Sequence, residues 1–117
     1  MKESPLIIKS KAFALDVIRA CKKLREVKCE AALINQFLRF GTSIGANIRE
    51  AFYAHSKPDF ISKLQISLKE CYETEYWLEL MQRAEILSST SEILHKCGVI
   101  RKMLISSINT AKQNMDK

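Results

Sequence analysis

Ser43 is the first residue in this 117-residue chain whose setting suggests chemistry, because Gly41-Thr42-Ser43-Ile44-Gly45 matches Gly-x-Ser-x-Gly. That pattern makes a nucleophile only on a sharp strand-to-helix turn with a base nearby. Here it lies inside a run of apolar residues spaced three and four apart, and only His55 and His95 are available as bases. The four cysteines, Cys21, Cys29, Cys71 and Cys97, contain no Cys-x-x-Cys pair. His95 and Cys97 are two apart, on different faces of a helix, so no zinc set converges. Cys21, Cys71 and Cys97 fall on apolar seams, where a reduced cysteine acts as a small hydrophobe. Glu75 is a lone seam carboxylate; general acid–base work wants a second acid or a base beside it, so an arginine or asparagine partner from another helix is expected. No catalytic residue, metal or cofactor is assigned, and the chain reads as a non-enzyme.

What remains is charge. The chain carries net charge +6, and residues 1–28 hold eight Lys/Arg against three acids. At about 100° per residue, Lys11, Arg19, Lys22, Lys23 and Arg25 fall on one arc of a first helix, opposite its apolar seam. One reading is a solvated outer face. The other is a phosphate-binding patch, since a strongly basic protein favours polyanions. No aromatic residue interleaves with these cations, so the surface is not built for base stacking.

Four segments with helical periodicity position these groups. The first helix can start at Ser4-Pro5 or at Ser10; we place its N-cap at Ser10, leaving Leu6 to Ile8 as an extended arm. Its seam is Ala14, Val17, Cys21 and Leu24, and it runs over residues 10–27. The second helix, 30–54, carries Ile34, Phe37, Gly41, Ile44, Ile48 and Ala51 on one seam. Each of its glycines costs roughly 1 kcal/mol relative to alanine. Gly41, Thr42, Ser43, Gly45 and Ala46 shave the surface almost to backbone, so this is expected to be the central, tightly packed helix. Asn47, on the seam's flank, is expected to fix register through an interhelical hydrogen bond. The third helix, 57–85, opens on Ser56 and Asp59 at capping-box spacing; its seam is Ile61, Leu64, Leu68, Cys71 and Leu78. The fourth, 90–115, follows a polar linker in which Ser89 and Glu92 repeat that spacing. Its seam is Ile93, Cys97, Ile100, Leu104, Ile108, Ala111 and Met115. Short connections between amphipathic helices predict one all-α domain, an antiparallel up-down-up-down four-helix bundle.

The third helix carries a second stripe. Ile66, Trp77 and Leu80 point away from its seam, with Glu70 and Glu73 between them. Aromatic anchors of this kind are enriched at protein interfaces, and residues 58–85 hold six acids against three Lys/Arg. The acidic third helix of one copy is therefore expected to face a basic helix of the next, a head-to-tail contact that closes into a ring when the rotation allows. The longest apolar runs are far shorter than the roughly 20 residues a membrane span needs. The opening Met1-Lys2-Glu3-Ser4-Pro5 does not resemble a secretory leader, so a cytoplasmic location is expected.

The stretch Arg39 to Ala51, RFGTSIGANIREA, resembles the signature of the bacterial 23S rRNA-intervening-sequence proteins. Ser56-Lys57-Pro58-Asp59-Phe60, Lys63-Leu64, Leu68-Lys69-Glu70, Glu75-Tyr76-Trp77-Leu78 and Ile108-Asn109-Thr110-Ala111-Lys112 extend the likeness over nearly the whole chain. Phe40 departs from a position where the family often has a small residue. The resemblance implies an antiparallel four-helix bundle assembled as a cyclic pentamer. The family's name reflects reading frames inserted in ribosomal RNA genes, so a ribosomal label does not imply a place in the ribosome. The chain is also similar to the accessory protein of diversity-generating retroelements, a basic pentamer that engages nucleic acid and a reverse transcriptase. The resemblance thus implies a non-enzymatic oligomer that binds RNA or DNA through basic surfaces such as the Lys11–Arg25 arc. A protein-interaction scaffold without nucleic acid is the competing reading.

Overall fold

A computed structural model describes residues 4–115. It holds four helices, α1 (Pro5–Glu26), α2 (Ala31–Phe52), α3 (Lys57–Arg83) and α4 (Thr90–Met115). No strand occurs among the described residues. α1 packs on α2, α2 on α3 and α3 on α4, and a thinner α1–α4 contact closes the ring. Contacts across each seam run in opposite sequence directions. Gly45 lies against Ser10 while Gly41 lies against Val17, and Arg101 meets Glu75 while Gln82 meets Ser91. The neighbours are therefore antiparallel, and the architecture is the four-helix bundle expected from the periodicities.

The start of α1 differs from expectation. Ser4 is the N-cap, its hydroxyl accepting from Leu6 N at 3.2 Å, and Pro5 occupies the first turn. A proline there loses nothing, because its missing N–H would have had no intrahelical partner. Leu6 to Ile8 are thus helical rather than an extended arm. Ser10 is buried one turn inside, its hydroxyl donating to Ile7 O. Ser56 caps α3 as expected, accepting from Asp59 N at 3.2 Å. α1 and α3 each end on a non-glycine residue in the left-handed region, Lys28 (φ 58°) and Glu85 (φ 55°). Each turn is closed by a bond back across the last turn, Cys29 N to Leu24 O and Ile86 N to Met81 O.

The core follows the seams. All six apolar or glycine positions named for α2 are buried. In α1 the larger share falls to Phe13, which is buried while Ala14 is only half-buried. In α3, Ser67 and Thr74 take seam positions and Leu68 is half-buried. Both hydroxyls are satisfied, Ser67 donating to Ile44 O across the helix pair at 2.8 Å and Thr74 to Glu70 O at 2.7 Å. A small hydrogen-bonded residue at 67 lets the α2 backbone come close, which a leucine would prevent. Met115, named for the α4 seam, is exposed.

Gly41 explains the centre of the bundle. A Cβ built there would meet Val17 Cγ2 at 2.8 Å and Cγ1 at 2.9 Å. At Gly45 it would meet Ser10 Oγ at 3.2 Å and Ser10 O at 3.3 Å. Both glycines thus face α1, while Ile44 and Ile48 fill the interior. Asn47 Nδ2 donates to Glu70 Oε1 on α3 at 2.5 Å, the interhelical bond its position suggested.

Candidate nucleic-acid interface

Lys11, Arg19, Lys22, Lys23 and Arg25 are all exposed on α1. The structure divides them by the grooves they border. Lys11 lines a groove between α1 and α2, where Arg49 stands beside it over a floor of small residues including Gly45 and Ala46. Arg19 and Lys23 line a groove between α1 and α4 together with Lys96. Lys22 and Arg25 line neither of these grooves. Among the described residues, Lys11, Lys22, Lys23 and Arg25 form no ion pair, and Arg19 makes only a loose one with Asp16 at 3.6 Å.

The outward strip of α1 holds residues that charge counting overlooked. Ile8, Leu15 and Ile18 are 54%, 46% and 50% exposed. Steps of seven and three place them on the arc of Lys11 and Lys22, so the spacing already contained this signal. The face is basic and apolar together, and its middle is unlike a purely solvated surface.

On α3, Ile66 and Leu80 are exposed and Trp77 is half-buried. The indole packs partly against the core, and Tyr76 meets it edge to face with centroids 5.3 Å apart. Tyr72 and Tyr76 are exposed beside them. α1 and α3 are diagonal in the bundle, joined only through α2 and α4. Their outward faces therefore point in opposite directions, one basic and apolar, the other acidic and aromatic.

The groups that could have carried catalysis are occupied elsewhere. Ser43 Oγ donates to Arg39 O at 2.6 Å, a bond along its own helix. Glu75 accepts from Arg101 Nε at 2.8 Å, the arginine partner expected for it. Arg101 also lies over the Tyr72 ring, 5.9 Å from its centroid. The hydrogen bond to Cys71, with burial behind it, pushes the Cys97 thiol well above its ordinary value, and burial raises that of Cys21, so both are poor nucleophiles. Burial likewise raises the Glu70 carboxyl, partly offset by the hydrogen bond from Asn47. No cluster of metal-ligating side chains occurs among the described residues. No described helix is long and apolar enough to cross a membrane.

The family model for the 23S rRNA-intervening sequence protein matches residues 2–106. The chain belongs to that family. A solved structure from Bacteroides thetaiotaomicron, a protein of unknown function from the S23 ribosomal protein family, is similar to it at 47% identity and a TM-score of 0.85. The match covers 88% of this chain and 97% of that one. No curated protein matches the chain.

Proposed function

We propose that this family member is a non-enzymatic, self-associating helical bundle that holds RNA or DNA through the basic surface of α1. The carrying observation is the set of exposed α1 cations, four of them without an ion pair among the described residues. Cations held in no ion pair are available to phosphate at the least cost. The absence of interleaved aromatics argues for contact with the backbone rather than with bases.

Self-association rests on the two outward faces. Ile8, Leu15 and Ile18 among lysines on α1 complement Ile66, Tyr76 and Leu80 among glutamates on α3. Because these faces point opposite ways, the contact is heterologous and propagates around a ring; a cyclic pentamer fits the family resemblance. The contact takes the Ile8, Leu15 and Ile18 strip, so the cations left repeated around the ring for a long polyanion are those on the α4 side of α1, Arg19 and Lys23.

The test is an electrophoretic shift with structured RNA at low and high salt. Wild type is expected to shift the RNA at low salt and release it steeply as salt rises. Charge reversal at Arg19, Lys22, Lys23 and Arg25 together should abolish the shift. A shift absent at low salt, or indifferent to those reversals, would reject nucleic-acid binding. The exposed apolar strip on α1 would then favour the second reading, a protein-interaction scaffold.

A further inference from the structure

We infer that the α1–α4 seam is the track on which a phosphodiester backbone lies, and that Asp16 limits how tightly it is held. This rests on the nucleic-acid reading above and assigns it a place. α1 and α4 make the thinnest contact in the bundle, and the seam between them stays open as two adjoining cavities of about 220 Å³ and 170 Å³. Both cavities are lined by Asp16 and Lys96, whose ion pair crosses the seam where the two meet. Lys9 stands at one end and Arg19 and Lys23 toward the other, with Lys96 facing them from α4. From residue 9 to residue 23 the groove spans about 21 Å of helix at 1.5 Å per residue. That is room for roughly six phosphates of a stacked strand at 3.4 Å each. Four cations along such a length, set against the two carboxylates Asp16 and Glu92, leave the groove net basic toward a single backbone.

The lining also states what is not read. The one aromatic residue in the groove, Phe13, is buried to 1% exposure and offers no ring face to a base. The floor is otherwise small or aliphatic, with Ala12 and Ile100 in one cavity and Ala20 and Ile93 in the other. Contacts are therefore made to phosphate and not to base edges, and binding is indifferent to sequence.

Asp16 occupies the middle of the groove. Its carboxylate accepts from Lys96 Nζ at 3.0 Å and pairs with Arg19 at 3.6 Å. Lys96 is further held by Glu92 at 3.4 Å. The Asp16 carboxylate ties α4 to α1 at their weakest seam, and it also opposes any phosphate laid across it. In the outward strip, by contrast, Ile8, Leu15 and Ile18 separate the cations with apolar surface, which suits a protein partner better than a polyanion.

The experiment is fluorescence anisotropy of labelled oligo(U) and oligo(C) strands of equal length, titrated at several salt concentrations. With two phosphates neutralised by the unpaired Lys9 and Lys23, and up to four where Arg19 and Lys96 exchange carboxylate for phosphate, log K should fall against log salt with a slope of about −1.4 to −2.8, so a fourfold rise in salt weakens binding about 7- to 50-fold. The triple variant K9A/R19A/K23A should flatten that slope to about −0.7. K69A/R83A, which removes exposed cations of α3 away from this seam, should stay within about twofold of wild type. D16N keeps an oxygen for Lys96 but removes a negative charge about 6 Å from a seated phosphate, and should tighten binding about threefold. Circular dichroism of D16N under the same conditions ensures that the gain is read from a folded bundle. If wild type binds in a salt-dependent way but the groove triple equals it, or K69A/R83A alone abolishes binding, the track is refuted while the nucleic-acid reading stands. If D16N weakens binding, Asp16 is not a limiter and that part falls. A tenfold preference between the two strands would overturn sequence indifference. If wild type binds neither strand at the lowest salt, the track fails, and the shift with structured RNA decides the nucleic-acid reading separately.

Discussion

Alanine at Gly41 should destabilise the bundle even though alanine is the better helix former, and the size of the conflict can be worked out. Replacing a mid-helix glycine gains about 1 kcal/mol of helix propensity. Against this, the new Cβ would sit 2.8–2.9 Å from both γ-carbons of Val17, closer than carbon atoms approach. Val17 is fully buried and cannot swing away. Overpacking of this kind costs about 1–3 kcal/mol, so G41A should be less stable than wild type by up to about 2 kcal/mol. Gly98 supplies the control. A Cβ there would meet only Arg101 Nη2, the movable end of a long side chain, at 3.5 Å. G98A should therefore keep the propensity gain and be more stable by about 1 kcal/mol. Unfolding entropy of about 2.1 cal/mol/K per residue makes 1 kcal/mol about 4 °C of Tm for a chain of this length. The two alanine variants should thus separate by about 4–12 °C in a thermal melt followed by circular dichroism. Adding V17A to G41A should remove the clash and recover stability relative to the sum of the single changes. Equal Tm values for G41A and G98A, or additivity in the G41A/V17A cycle, would refute the close-approach explanation of the glycine.

Other consequences are checkable by similar means. K28G and E85G each relieve a non-glycine left-handed residue and should raise stability by roughly 0.5–1 kcal/mol in urea titrations. E75A leaves the half-buried Arg101 guanidinium without its acceptor and should cost about 1–2 kcal/mol, whereas replacing an exposed, unpaired glutamate such as Glu79 should cost almost nothing. Glu70 has its carboxyl raised in the folded state, chiefly by burial, so the native chain holds that proton to higher pH than the unfolded chain. Its contribution to stability is therefore complete below the ordinary carboxylate range and is lost as pH rises through the raised value. E70Q should remove that portion of the pH dependence from chemical denaturation curves; an unchanged slope would contradict it. L80E, on the outward face of α3, should lower the assembled fraction at fixed concentration in light scattering while leaving the helical signal intact.

The helices were legible because their seams are regular, and α2 most of all. Its six seam positions are the six that are buried. The placement of Asn47 and Glu75 as buried polar groups needing partners was also readable, since an unpaired polar group on a seam is costly. Three features were harder. The start of α1 turned on two plausible caps, and Ser10 looked like one because its real role is a buried small residue against Gly45. The α3 seam contains Ser67 and Thr74, which apolar periodicity skips, and their burial depends on carbonyl partners that sequence spacing does not name. The division of the α1 cations depends on α4. Lys96 enters the site from 80 residues away, and only the closed bundle places it beside Asp16.

Sedimentation velocity on the protein with a fluorescent RNA, at low and at high salt, tests the central claim most directly because it reads assembly and binding together. A species several times heavier than one chain is expected at both salts, with RNA co-sedimenting at low salt and released at high salt. A single-chain species that leaves the RNA free at low salt would contradict it.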